Sequence, residues 1–163
     1  MNTVTLGGVA IGAGILVLAG LRWWFREKRQ IAALTPFLLS AIYGMLAILT
    51  AGGLLGGAAG IALWGANGLG DLALVYGVGG TTADVTRARQ IALSPGGYVV
   101  VFLLTLVIVG LWKWAGKIPT GTLFFGIVAG SCLGLSGTIA GAAAVPLASG
   151  VNAIGLGFTA ILR

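Results

Sequence analysis

The chain has no histidine, one cysteine and three acidic residues among 163 positions, and only 7% of its residues are charged. Each shortage removes a class of function. The carboxylates stand at Glu27, Asp71 and Asp84, in three separate neighbourhoods, so no paired acids are available for proton transfer and no ligand cluster for a metal. Cys132 has no second thiol to pair with. Beside Gly130 and Ser131 it reads as a small packing residue. The glycine tracts never end in the GK[ST] of a phosphate loop, and none has a GxGxxG that opens a strand-helix unit. Catalysis is therefore not expected, nor is a metal or a cofactor.

What the chain has instead is apolar length. Hydrophobic residues make up 58% of it and its mean hydropathy is +1.09, whereas a soluble domain carries about 25% charged residues. Such a composition belongs in a bilayer, where each helical crossing needs about 20 apolar residues. Nine Lys and Arg give a net charge of +6. Four of them, Arg22, Arg26, Lys28 and Arg29, fall in the stretch RWWFREKRQ directly after an apolar run. A nucleic-acid surface presents a broader basic face, so direct nucleic-acid binding is not expected. Charge placed at the end of a span is the mark of a cytoplasmic flank.

Residues 4–25 read as a first, retained span, because the basic residues follow the apolar run rather than precede it, the reverse of a cleavable signal peptide. Trp23 and Trp24, with Arg26, Lys28 and Arg29, anchor its inner end. Gly8 and Gly12 form a GxxxG on it. Thr35-Pro36 suits the opening of a second span that runs outward from residue 36 to the low fifties. Apolar character then continues to Gly80 through many glycines, Gly52 and Gly56 among them. This tract either prolongs the second helix or folds back as a re-entrant or interfacial piece. The polar residues 81–96 form a linker, with a short surface helix expected over TTADVTRARQIAL. A third span, YVVVFLLTLVIVGLWKW, ends inside at Trp112, Lys113, Trp114 and Lys117. A fourth starts near Thr120 and presents Gly126, Gly130 and Gly134 on one face. That face is expected to meet a matching small-residue face such as Gly8 and Gly12.

The stretch AGGLLGGAAGIALWGANGLG, residues 51–70, returns without gaps as SGTIAGAAAVPLASGVNAIG, residues 136–155. Gly52, Gly56, Gly65, Asn67 and Gly70 fall on Gly137, Gly141, Gly150, Asn152 and Gly155. The expected fold is an all-α integral membrane protein of four transmembrane helices, built as two tandem parallel two-helix repeats with Gly-rich extensions. One repeat covers 1–80 and the other 97–163. A six-span arrangement would put Lys113 and Lys117 opposite the Arg22 to Arg29 flank and so break the charge rule. The expected location is a bacterial inner membrane, with both termini outside.

Asn67 and Asn152 are polar amides at equivalent places. They read as helix-end or turn residues, as interhelical hydrogen bonds, or as the lining of a polar path. Asp71 reads as a hydrated charge near the outer interface. RWWFREKR and the glycine tracts give the chain a form that resembles the spread-type membrane proteins encoded beside transfer genes on actinobacterial conjugative plasmids. That resemblance implies a membrane partner in intercellular DNA transfer, and it carries over no individual site. The functional expectation is a self-associating structural or pore-forming subunit that acts with the lipid bilayer as a homo-oligomer or in a larger complex. A small transporter or channel with its path at the repeat interface is the second expectation, and a holin-like protein the third.

Overall fold

The computed structural model describes residues 3–50, 52–85, 92–114, 120–136 and 139–161. It is all-helical. The helices are α1 (Leu6–Phe25), α2 (Ile31–Leu49), α3 (Gly53–Leu72, prolonged by a π-helical turn over Ala73–Val78), α4 (Pro95–Trp114), α5 (Thr120–Gly134) and α6 (Ile139–Ile161). Among the described residues five stretches are long and apolar enough to cross a membrane: Leu6–Phe25, Ile31–Leu49, Gly53–Val78, Pro95–Trp114 and Ala142–Ile161; Thr120–Gly134 is apolar but shorter. Leu18 is 68% exposed, Phe102 56% and Trp114 80%. Helices apolar all round need lipid or other protein outside them, and the chain is accordingly a multi-pass membrane protein.

The centre of the molecule is the pair α2 and α5. Phe37 and Ser40 lie at Gly126, Ala41 at Gly130 and Met45 at Gly134, so residue numbers rise together and the two helices run parallel. Small residues make this possible. A Cβ on Gly130 would strike the carbonyl of Ala41, and one on Gly44 would strike the carbonyl of Ile127. Where two backbones touch in this way, dispersion and Cα–H···O contacts replace the hydrophobic effect, which does little between helices in lipid. The Ser131 hydroxyl adds a 3.3 Å hydrogen bond to the Gly44 carbonyl. Ser40 and Ser131 are fully buried along this seam.

The face formed by Gly126, Gly130 and Gly134 therefore packs on α2, and not on Gly8 and Gly12. Gly12 meets the neighbouring facet of α5, at Cys132 and Leu133. At the other end of α1, Ile15 to Arg22 share a cavity with Gly121, Thr122 and Phe125, so α1 runs antiparallel to α5. On the opposite side Ile108 and Trp112 of α4 share a cavity with Thr120 and Leu123. The Thr105 hydroxyl of the same helix donates to the Val101 carbonyl at 2.8 Å and so accepts from the Tyr43 hydroxyl of α2 at 3.1 Å.

Two further elements differ from expectation. Pro36 lies inside α2, which opens earlier, at Ile31. The N–H that proline lacks would have gone to Ala32, which is exposed close to the basic flank, so the loss is cheap there. Residues 81–85 of the linker are not helical. They lie beside the start of α1, with Leu6 N–H donating to the Ala83 carbonyl at 2.8 Å and Val85 N–H to the Val4 carbonyl at 3.0 Å. Ala92 and Leu93, at the far end of the expected surface helix, are not helical either, and 86–91 lie outside the described residues.

The glycine tract does not prolong α2. Gly52 (φ 91°) and Gly53 (φ 72°) take left-handed backbone conformations open to glycine at little cost, and they turn the chain into a separate helix, α3. Gly56 presses on the Thr50 carbonyl, which fixes the start of α3 at the end of α2. Its far end meets the start of α1, where Gly70 touches Gly7 backbone to backbone. Since the start of α1 lies beside the end of α5, both ends of α3 sit where α2 and α5 finish. In the second half of the chain α6 does the same, beginning after α5 and bringing Gly155 against Gly96 at the start of α4.

Candidate functional site

The polar groups expected to carry function gather at the two places where α3 and α6 reach the helix starts. At the first, Asn67 Oδ1 accepts a hydrogen bond from Thr5 N–H at 3.2 Å, while its Nδ2 donates to the Thr3 carbonyl at 2.8 Å. Thr5 is the N-cap of α1, and its own hydroxyl accepts from Gly8 N–H at 3.2 Å. At the second, Asn152 Oδ1 accepts from Ser94 N–H at 2.8 Å and its Nδ2 donates to the Ala92 carbonyl at 3.1 Å. Ser94 Oγ accepts from Gly97 N–H at 3.1 Å.

Each asparagine thus clamps the residue that caps the helix two earlier in the chain, α1 for Asn67 and α4 for Asn152, using both ends of its amide. The chemistry is that of a helix start, where the first N–H groups have no intrahelical acceptor and a side-chain oxygen must replace water. Glycine lets the clamp close. A Cβ on Gly8 would strike Asn67 Oδ1, and one on Gly97 would strike Asn152 Oδ1. The inward faces match too. Ala59, Leu63, Ala66 and Gly70 of α3 are buried, as are Ala144, Ala148, Val151 and Gly155 of α6.

Both clamps escaped the sequence reading in part. The asparagines were singled out, whereas Thr5, Gly7 and Gly8 and their counterparts Ser94, Gly96 and Gly97 were not. The signal was present as TLGG and SPGG, a hydroxyl residue two places before a glycine pair at the opening of an apolar run. Gly44 was also missed, although Ser40 four residues before it makes a small-residue spacing like that of Gly126 and Gly130.

Of the other candidate residues, Gly12, Gly56, Gly126, Gly130 and Gly134 sit in close helix contacts and Gly8 at a clamp, while Gly52 serves the turn into α3. Gly141 falls in the first turn of α6, and Gly137 and Lys117 lie outside the described residues. The basic flank is a tied turn. Arg22 Nε donates to Glu27 Oε1 at 2.8 Å, Trp23 Nε1 donates to the Gln30 carbonyl at 2.9 Å, and the Arg29 guanidinium lies 3.5 Å from the centre of the Trp24 ring. Arg26 and Lys28 are exposed in the same turn, and Trp112, Lys113 and Trp114 are exposed at the end of α4. Asp71 departs from a fully hydrated group. Side-chain-free Gly7 admits it, and its Oδ1 is enclosed with no hydrogen-bond partner among the described residues.

Among the described residues no group of three or more His, Cys, Asp or Glu could hold a metal ion. Comparison of the chain with family models, with curated proteins and with solved structures finds no match.

Proposed function

We propose that the chain is a non-enzymatic, self-associating membrane subunit with a structural or pore-forming part in a larger assembly. In this reading α1, α2, α4 and α5 cross the bilayer, and α3 and α6 lie across its outer side as equivalent parts of two parallel repeats. Support comes from the pairing of residues 4–6 with 83–85. Two stretches that touch on one side of a membrane are joined by an even number of crossings, which α1 and α2 supply and α3 does not. The basic ends of α1 and α4 then share the cytoplasmic side, as the charge rule requires. By resemblance to the spread-type proteins, the assembly would serve intercellular plasmid transfer.

The observation that carries self-association is the outward face of α3. Gly57, Ile61, Trp64 and Gly68 form one stripe, opposite the buried Ala59, Leu63 and Ala66; Ile61 is 73% and Trp64 79% exposed. A Cβ on Gly57, Gly65 or Gly68 meets nothing within 4 Å. These glycines are not needed by the fold of one chain, and glycines at helix spacing on an apolar face let a second helix approach closely. A transport path past Asn67 and Asn152 has less support, because both amides are engaged with backbone.

Gly57→Leu tests the reading. It fits the single chain without collision, so the variant should keep the melting temperature of wild type in detergent while shifting to a smaller species by light scattering. An unchanged particle mass would remove this face from the assembly.

A further inference from the structure

At the basic end of the bundle α1, the first turns of α2 and the start of α5 enclose a half-open groove of about 280 Å³. Its walls are apolar: Ile15, Leu18, Leu34, Phe37 and Phe125. Its mouth is not, since Arg22, Glu27, Gly121 and Thr122 also line it. We propose that this groove holds an anionic phospholipid, one acyl chain lying between α1 and α5 and the phosphodiester resting against Arg22 and the first turn of α5.

Two independent features at the mouth suit a phosphate. Arg22 gives only its Nε–H to Glu27 in the bonds the structure shows, and a guanidinium carries five donors, so a fork remains for a phosphate oxygen. Gly121 and Thr122 belong to the first turn of α5, whose N–H groups have no intrahelical acceptor and lie at the positive end of the helix dipole. Arg22 lines the mouth with Glu27, and the exposed Arg26 and Lys28 of the adjoining turn tip the balance to positive, so the mouth favours an anionic over a zwitterionic headgroup. The occupant is a lipid rather than a free anion because the polar mouth opens directly into an apolar slot. Basic pockets between helices on the cytoplasmic side commonly bind such headgroups.

Native mass spectrometry of the detergent-extracted protein, given equal amounts of phosphatidylglycerol and phosphatidylcholine, tests this. Wild type should retain phosphatidylglycerol about fivefold better, the scale of one basic residue at a lipid surface. Arg22→Gln should lose that preference. Arg29→Gln should keep it, because Arg29 is stacked on Trp24. Ala19→Phe, which fills the groove wall, should lower retention of both lipids, with a melt in lipid-free detergent confirming that it folds. Millimolar inorganic phosphate should displace neither lipid. Equal losses in Arg22→Gln and Arg29→Gln would show diffuse attraction by the basic flank and overturn the site. Competition by phosphate, or equal retention of both lipids by wild type, would overturn the lipid.

Discussion

Replacing Gly130 with leucine is expected to leave no folded, extractable protein. At this position even the first side-chain carbon has no room, since it would meet the carbonyl oxygen of Ala41 and lie 3.0 Å from the Ala41 Cα. Overpacking of a side chain against side chains typically costs about 1–3 kcal/mol. Here the obstacle is backbone, which cannot rotate away, and the neighbour is the central parallel pair on which the other helices rest. The expected loss is therefore at the upper end of that range or beyond it, a large share of the roughly 5–15 kcal/mol that holds a domain together. Gly44→Leu should behave alike, because it collides with the Ile127 carbonyl from the other side of the same seam. Gly14→Leu is the control, with nothing within 4 Å. Detergent extraction and size-exclusion profiles read the result, and a wild-type profile for Gly130→Leu would remove the α2 and α5 seam from the account.

Asn67→Ala and Asn152→Ala should each lower the melting temperature while leaving any solute flux in reconstituted vesicles unchanged. Loss of the amide frees a cap N–H and an upstream carbonyl at each site, Thr5 and Thr3 in one case, Ser94 and Ala92 in the other. The cap N–H groups sit in partly buried bonds and cost about 1–3 kcal/mol when left without partners, whereas the two carbonyls are exposed and lose less. The two sites share no partner, so the double variant should show close to the sum of the single effects. Asn67→Asp separates the two halves of the clamp. It keeps the acceptor for Thr5 and loses the donor for Thr3, so an intermediate melt is expected. A normal melt with altered flux from both alanine variants would instead give the asparagines to a transport path.

The all-helical, lipid-facing character was legible because hydropathy is a property of single stretches. The end of α1 at Phe25, beside the tryptophans and arginines, could be read in the same way. The placement of α3 and α6 could not. Gly53–Val78 has the length and apolarity of a crossing helix, and what positions it is a set of distant pairings: Gly70 with Gly7, Asn67 with Thr5, and Gly56 with Thr50. The glycine stripe on α5 was visible as a face without a partner. Its partner is α2 because Ser40, Ala41 and Gly44 offer a second narrow strip, and a match between two strips is not written in either one. The clamp residues were half legible. An asparagine among glycines draws attention, whereas the threonine or serine it grips is ordinary until the helix it caps is placed.

The central claim is that α3 returns to the side on which α1 begins, and thiol accessibility in intact cells tests it most directly. In a Cys132→Ser background, Thr82→Cys and Lys28→Cys occupy exposed positions at opposite ends of the bundle. A membrane-impermeant maleimide should label Thr82→Cys on intact cells and reach Lys28→Cys only after the membrane is opened. Labelling of Lys28→Cys alone on intact cells would invert the orientation. Protection of both positions on intact cells, with labelling after lysis, would place residues 28 and 82 on the same side and contradict the account, because α3 would then have to cross.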